Sequence, residues 1–198
     1  MNADELLERA LAYALGSLAG VTPCQLARPT PCAQWDLGAL IGHLDDSLDA
    51  LREGLGGGCV GLGAGPRTLL GADPGAGFRE RARDLLGTAV RDAEPVLVAD
   101  RGLPAGVVAA VGAVEIAVHG WDVAEARGVR RPVPPALAAE LLPLARRFVT
   151  SVERGTGFAE PVDVAPGACP GDRLVAFLGR RPAGPPRFLS GPGPVCLP

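Results

Sequence analysis

The stretch Val114-Glu115-Ile116-Ala117-Val118-His119-Gly120-Trp121-Asp122 decides the fold. It continues a run of small apolar residues that begins at Val107 and is interrupted only by Glu115. Pro104 suits the first turn of a helix and Gly128 its end, so the spacing predicts a helix from about Pro104 to Arg127. Four-residue spacing sets Glu115 and His119 on one face, a turn apart. Their neighbours are Ala, Val and Ile, which turns that face toward the inside of a bundle. A buried carboxylate is costly unless it is paired or bound to a cation.

Working outward, Asp36 reads as the N-cap of a helix that runs to about Glu53. Leu37, Leu40, Ile41, Leu44, Leu48 and Leu51 form its apolar face, and His43 stands among them. His43 and His119 are the only histidines in the chain. Leu6, Leu7, Ala10, Leu11, Ala14, Leu15 and Leu18 mark a first helix over 4–19. Further helices are expected over Phe78 to Asp92 and from Pro134 and Pro135 to near Arg154, with a short one from Asp172 to Leu178. The segment Val21 to Gln34 reads as a loop, and Pro95 to Gly102 as a brief extended piece and turn. The Gly-rich segment Gly54 to Gly77 has no GKS or GKT ending and no strand leading into it, so it reads as a connection and not a phosphate loop. The expected fold class is all-α: an up-and-down four-helix bundle over 1–154, with an irregular C-terminal arm over 155–198 packed on the same domain.

Composition excludes several functions. Of 198 residues, 47% are hydrophobic, enough for a sizeable core. The net charge of -3, with Arg interleaved among Asp and Glu, gives no basic footprint for nucleic acid. There is no Lys at all, a bias typical of a GC-rich genome. The acidic start Met1-Asn2-Ala3-Asp4-Glu5 does not resemble a signal peptide, and the longest apolar run is broken by Glu115, so no membrane partner is expected. The five cysteines are odd in number and form no CxxC pair, which points to reduced thiols and a cytoplasmic setting.

Two histidines and a carboxylate from two helices are a ligand set for an open zinc site. Hydrogen-bonded structural residues are the competing reading, and spacing alone does not separate the two. Asp122 lies near the same face as Glu115 and His119. It either orients a ligand or a bound water from behind, or holds the loop between Thr30 and Trp35 by hydrogen bonds. Cys32 is an alternative fourth ligand, with a structural role the default. Trp35 and Trp121 read as packing residues near the site mouth. Asp45 and Asp46 read as solvated or Arg-paired, and Cys24, Cys59, Cys169 and Cys196 have no activating context.

The segment Pro29-Thr30-Pro31-Cys32-Ala33-Gln34-Trp35-Asp36-Leu37, followed by Leu40 and His43, resembles the PTPCxxWxVxxLxxH signature of the DinB-like superfamily. It is most similar to the actinobacterial branch related to the N-terminal domain of mycothiol-dependent maleylpyruvate isomerase. Glu115 to Ala124 resembles that branch's second signature, ExxxHxWDLA, and Phe158 to Pro182 resembles its ending. The resemblance implies a four-helix bundle holding zinc or nickel through His43, Glu115 and His119. It also implies a reduced low-molecular-weight thiol, mycothiol, as cosubstrate. Departures from the family are a shorter stretch between the third and fourth helices and the expected absence of the isomerase's second domain. Both count against carrying over that specific isomerase activity.

Three functions follow as expectations. The first is a metal-dependent enzyme that activates the thiol for transfer to, or isomerisation of, an electrophilic small molecule. The second is hydrolysis or lysis by metal-bound water, for which Asp122 or Asp46 would have to serve as base. The third is a non-catalytic metal- or ligand-binding bundle. The expected partners are a small-molecule electrophile and a thiol, and a homodimer is left open.

Overall fold

The computed structural model describes residues 3–33, 35–61, 71–88, 95–98, 101–150, 154 and 158–182. Six α-helices carry the fold: α1 (Ala3–Leu18), α2 (Leu37–Gly57), α3 (Ala76–Leu86), α4 (Ala105–Arg127), α5 (Pro135–Phe148) and α6 (Pro170–Phe177). The protein is an all-α bundle. A small sheet of β1 (Cys59–Val60), β2 (Val96–Val98) and β3 (Arg101–Leu103) closes one end.

α4 is the central helix because its surface is small and apolar nearly all round. It packs on α1, α2 and α5. Gly120 brings it against α1, where a Cβ would stand 3.0 Å from the Ala14 Cα, and Gly112 makes room for Leu51 of α2. Among the described residues α4 is the one helix long and apolar enough to cross a membrane, but 78% of its most apolar window is buried inside the bundle.

Contacts along the helices fix their directions. Ala3 lies near Gly106 and Ala14 near Gly120, so α1 and α4 run parallel. His43 meets Glu115 while Leu51 meets Gly112, so α2 runs against α4. Asp45 meets Gly77 and Gly56 meets Thr88, so α2 and α3 run parallel. The bundle is threaded up, down, down, up, and around the ring the order is α1, α4, α2, α3. The connection from α2 to α3 must therefore return along the bundle, a distance of about 30 Å at 1.5 Å per helical residue. This is the Gly-rich segment, of which 62–70 lie outside the described residues.

Helix ends differ from expectation where packing sets them. α2 continues past Glu53 through Gly54 to Gly57, and Gly58 caps it in the left-handed region at φ 76°. Gly54 allows this because Val60 and Val96 pack where its Cβ would be, at 2.9 and 3.0 Å. That same approach seeds β1, which pairs parallel to β2, while β2 pairs antiparallel to β3. α3 stops at Leu86, capped by Gly87, and does not reach Asp92; 89–94 lie outside the described residues. α5 ends at Phe148, well short of Arg154, because Val149 turns extended at φ -91° and ψ 91° and buries its own side chain. Arg154 instead bridges to Phe158.

The described part of the C-terminal arm folds onto α5 through α6. Cys169 caps α6, its Sγ accepting from the Asp172 amide at 3.4 Å. At the other end Gly179 takes φ 82°, and a Cβ there would sit 2.8 Å from the Ala159 carbonyl oxygen. Only glycine fits such a turn without strain. The reversal lets the Arg180 amide bond the Val175 carbonyl at 2.9 Å and sends the Arg180 side chain inward.

Candidate metal centre

The site is framed by the loop that precedes α2. Pro29 and Asp36 form an antiparallel bridge, and the Thr30 hydroxyl donates to the carbonyls of Cys32 and Trp35 at 2.9 and 2.8 Å. Asp36 then caps α2, accepting from the Ala39 amide at 2.8 Å. This tight turn holds the Trp35 ring over His43, with centroids 4.2 Å apart, and 5.8 Å from His119. Trp35 thus shields one side of both imidazoles from water.

His43, Glu115 and His119 converge, with one ligand atom from each lying within 4.8 Å of the others. The His43 Nε2 and Glu115 Oε1 are 2.7 Å apart, and the Ser47 hydroxyl donates to the same oxygen at 3.3 Å. The two imidazole rings stand nearly perpendicular, 5.1 Å between centroids. Burial pushes the Glu115 carboxyl up. The hydrogen bond with His43, the charges of His119 and His43, and Ser47 more than reverse this and hold it at about 2. About a third of the side chain, 33%, is exposed, and it lines two cavities.

Behind His119 stands a buried ion network. The Nδ1 of His119 lies 3.0 Å from Asp122 Oδ2, which also accepts from Arg180 Nη2 at 2.9 Å. Arg180 Nε donates to the other Asp122 oxygen at 3.3 Å, and Nη1 to the Leu178 carbonyl at 2.9 Å. Burial pushes the Asp122 carboxyl up, and His119 and Arg180 hold it below the usual carboxylate range. With Nδ1 engaged, Nε2 is the His119 nitrogen left for a ligand. A carboxylate behind a ligating imidazole fixes its tautomer and orientation in known metal sites.

The donor chemistry fits a divalent cation of the zinc type: two imidazoles and an ionised carboxylate on two rigid helices. His43 Nε2 and Glu115 Oε1 lie at hydrogen-bond distance, 2.7 Å, and a cation between them would take the place of that bond. The other sequence candidates fall elsewhere. Cys32 is not among the clustered donors, and Asp46 is exposed. Asp122 does not tie down the Trp35 loop, because Thr30 does that through its own hydroxyl. Asp45 is wholly buried and so not solvated; its partner is an arginine, Arg81 Nη1 at 3.7 Å, and among the described residues neither of its oxygens has a hydrogen-bond partner. Ser47 and Arg180 join the site without belonging to either sequence motif. Ser47 was legible as a residue one turn after His43; nothing local in the sequence ties Arg180 to Asp122.

Comparison with known proteins identifies the family. A family model described as the mycothiol maleylpyruvate isomerase N-terminal domain matches residues 7–58. Two uncharacterized proteins of Mycobacterium tuberculosis, from strains CDC 1551 / Oshkosh and ATCC 25618 / H37Rv, are each 32% identical over 170 residues, 82% of this chain and 89% of theirs. The chain belongs to the mycothiol maleylpyruvate isomerase N-terminal domain family. The stretch matched by the family model spans most of α1, the Trp35 loop and α2 with His43; Glu115 and His119 lie beyond it on α4. No solved structure matches the chain.

Proposed function

We propose that this protein is a metal-dependent enzyme that activates a low-molecular-weight thiol, mycothiol by family, for transfer to or isomerisation of an electrophilic small molecule. The convergence of His43, Glu115 and His119 within 4.8 Å is the observation that carries the reading. These residues would hold zinc first, nickel second. A bound cation there would stabilise thiolate over thiol near neutral pH. The chain's own part is to position and to exclude water: Asp122 aims His119, Ser47 and His43 hold Glu115 ionised, and Trp35 covers the rings. The described cysteines are free thiols, which suits a reduced, cytoplasmic setting.

Hydrolysis needs a general base beyond the ligands, and Asp122 has both oxygens engaged by His119 and Arg180. That favours the thiol reading over the hydrolytic one. The test is metal content and thiol adduct formation measured together. Purified protein should carry about one zinc or nickel per chain, and His43→Ala or His119→Ala should lose it. Loaded protein should accelerate adduct formation between mycothiol and a generic electrophile, most at pH 6 to 7, where a free thiol of pKa about 8.5 is scarcely ionised. Equal rates for loaded and stripped protein from pH 6 to about 9 would overturn the proposal.

A further inference from the structure

Two cavities meet at Glu115. The larger, about 310 Å³, lies between Ser47 and Leu51 of α2, Val108 and Val111 of α4, and Val98 and Leu103 of the sheet. Because α2 and α4 run antiparallel, it forms a groove along both helices, from Glu115 to Val108, about 10 Å at the helical rise of 1.5 Å per residue. Its volume is at the lower end of small-molecule pockets. The smaller, about 140 Å³, shares Val111 and Glu115 and is otherwise walled by aliphatic and phenylalanine side chains of α4, α5 and the arm. Among the described residues no Arg or His lines either space, and Glu115 is the one charged side chain on both.

A dicarboxylate or polyhydroxyl ligand laid along this groove would lose water with almost nothing to replace it. Among the described residues Ser47 and Glu115, both at the donor end, are the only polar side chains lining it. Unpaired polar burial of that kind costs several-fold more than apolar burial gains per group. An alkyl or aryl chain suffers no such penalty.

We propose that the groove takes the apolar tail of a neutral electrophile, with the reactive carbon beside His43, Glu115 and His119 and the tail running toward β2 and β3. This rests on the thiol-transfer reading for the reactive end only; the tail site stands on the groove itself. It names a substrate class: uncharged, with a single polar head and a chain of several carbons.

The test uses unreactive probes on the full chain, metal-loaded and chelator-treated. 2-Pentanone, 2-heptanone, 2-nonanone and succinate are titrated by calorimetry and by amide shift mapping. Ketone affinity should rise about fourfold per methylene until the groove is filled. The rise should persist without metal, with shifts at Ala50, Val108, Val111 and Gly112. Val111 is 40% exposed at the groove mouth, so Val111→Arg should fold. It should weaken 2-nonanone about tenfold or more. Val129→Arg, at an equally exposed site past the end of α4, should leave 2-nonanone binding as it was. Affinity that ignores chain length, or succinate binding tighter than 2-nonanone, would overturn the inference. So would a dimer, seen by sedimentation, that Val111→Arg dissolves, since the groove would then be an interface between copies. Protein that binds 2-nonanone in this manner but holds no metal would overturn the thiol reading and support the groove. Metal-loaded, thiol-activating protein without chain-length dependence would overturn the groove alone.

Discussion

Arg180 reaches Asp122 through two nitrogens, and Asp122 holds His119 through the oxygen that Arg180 Nη2 also grips. Asp122 and Arg180 are both buried, so each charge depends on the other. Removing one partner of a buried pair costs about 3–5 kcal/mol, because the other is left uncompensated. Arg180→Met should therefore destabilise by about that amount, and less in an Asp122→Asn background; urea unfolding of the double-mutant cycle measures it. Asp122→Asn keeps the shape but removes the charge behind His119. Its metal affinity should fall about 10- to 100-fold in a chelator competition. Unchanged affinity would mean that packing alone orients the imidazole. Asp45 is the opposite case, a buried carboxylate that pairs with Arg81 at 3.7 Å but accepts no hydrogen bond among the described residues. Burial pushes its pKa from 3.8 to about 6, against the pull of Arg81 and with the push of Asp49 and Asp46. The folded chain thus keeps a proton that the unfolded chain gives up. Stability should fall as pH rises between about 4 and 6, by up to about 3 kcal/mol at completion. Asp45→Asn removes that loss: relative to the parent it should gain stability at pH 7 and show a flatter profile from pH 4.5 to 7. An identical slope in both proteins would assign the pH dependence to other groups.

Elements end legibly where a cap ends them and illegibly where packing does. Asp36 and Gly128 mark the start of α2 and the end of α4 in the sequence, and both cap there. Local chemistry decides such ends, so a single sequence carries them. The end of α2 was not readable, because its glycines look like a breaker until Val60 and Val96 arrive from distant segments to pack on Gly54. The strands share that property: each is two or three residues long and exists through its partners. The same logic isolates Gly179. Its left-handed φ and the nearby Ala159 carbonyl turn the chain so that Arg180 points inward. Gly179→Ala should cost at least about 1–2 kcal/mol from backbone strain. It should also loosen the Asp122 network, seen as a weaker metal affinity alongside the lower denaturation midpoint. Loss of stability with affinity intact would separate the turn from the site.

At the scale of the molecule, periodicity gave the number of helices and their buried faces, because the apolar residues recur at three and four. It could not give direction. The up, down, down, up threading is fixed by which helix ends meet, and that depends on long connections whose sequences carry no such signal. Yet His43 and Glu115 still meet, because α2 lays its one apolar face, with His43 on it, against the all-round apolar α4 that carries Glu115. The consequence is mechanical: the donors come from two helices, with His43 and Glu115 72 residues apart in the chain, so a cation would pin α2 to α4. Binding to the folded state alone adds stability of RT ln(1 + [L]/Kd), about 4 kcal/mol at a thousandfold excess over Kd. For a domain of this size that is roughly 8–16 °C in Tm. Zinc added to stripped protein should produce a rise of this order, and His119→Ala should abolish it. Imidazoles must be neutral to ligate, so the rise should shrink as the solution is made acid. Calorimetry at pH 5.5 and 7.5, with and without zinc, separates this from the Asp45 effect. The Asp45 term favours the acid side and is present without metal, whereas the zinc term favours the neutral side and vanishes with chelator. A Tm that ignores zinc at pH 7.5 would mean that His43, Glu115 and His119 form a hydrogen-bonded core cluster and not a metal centre.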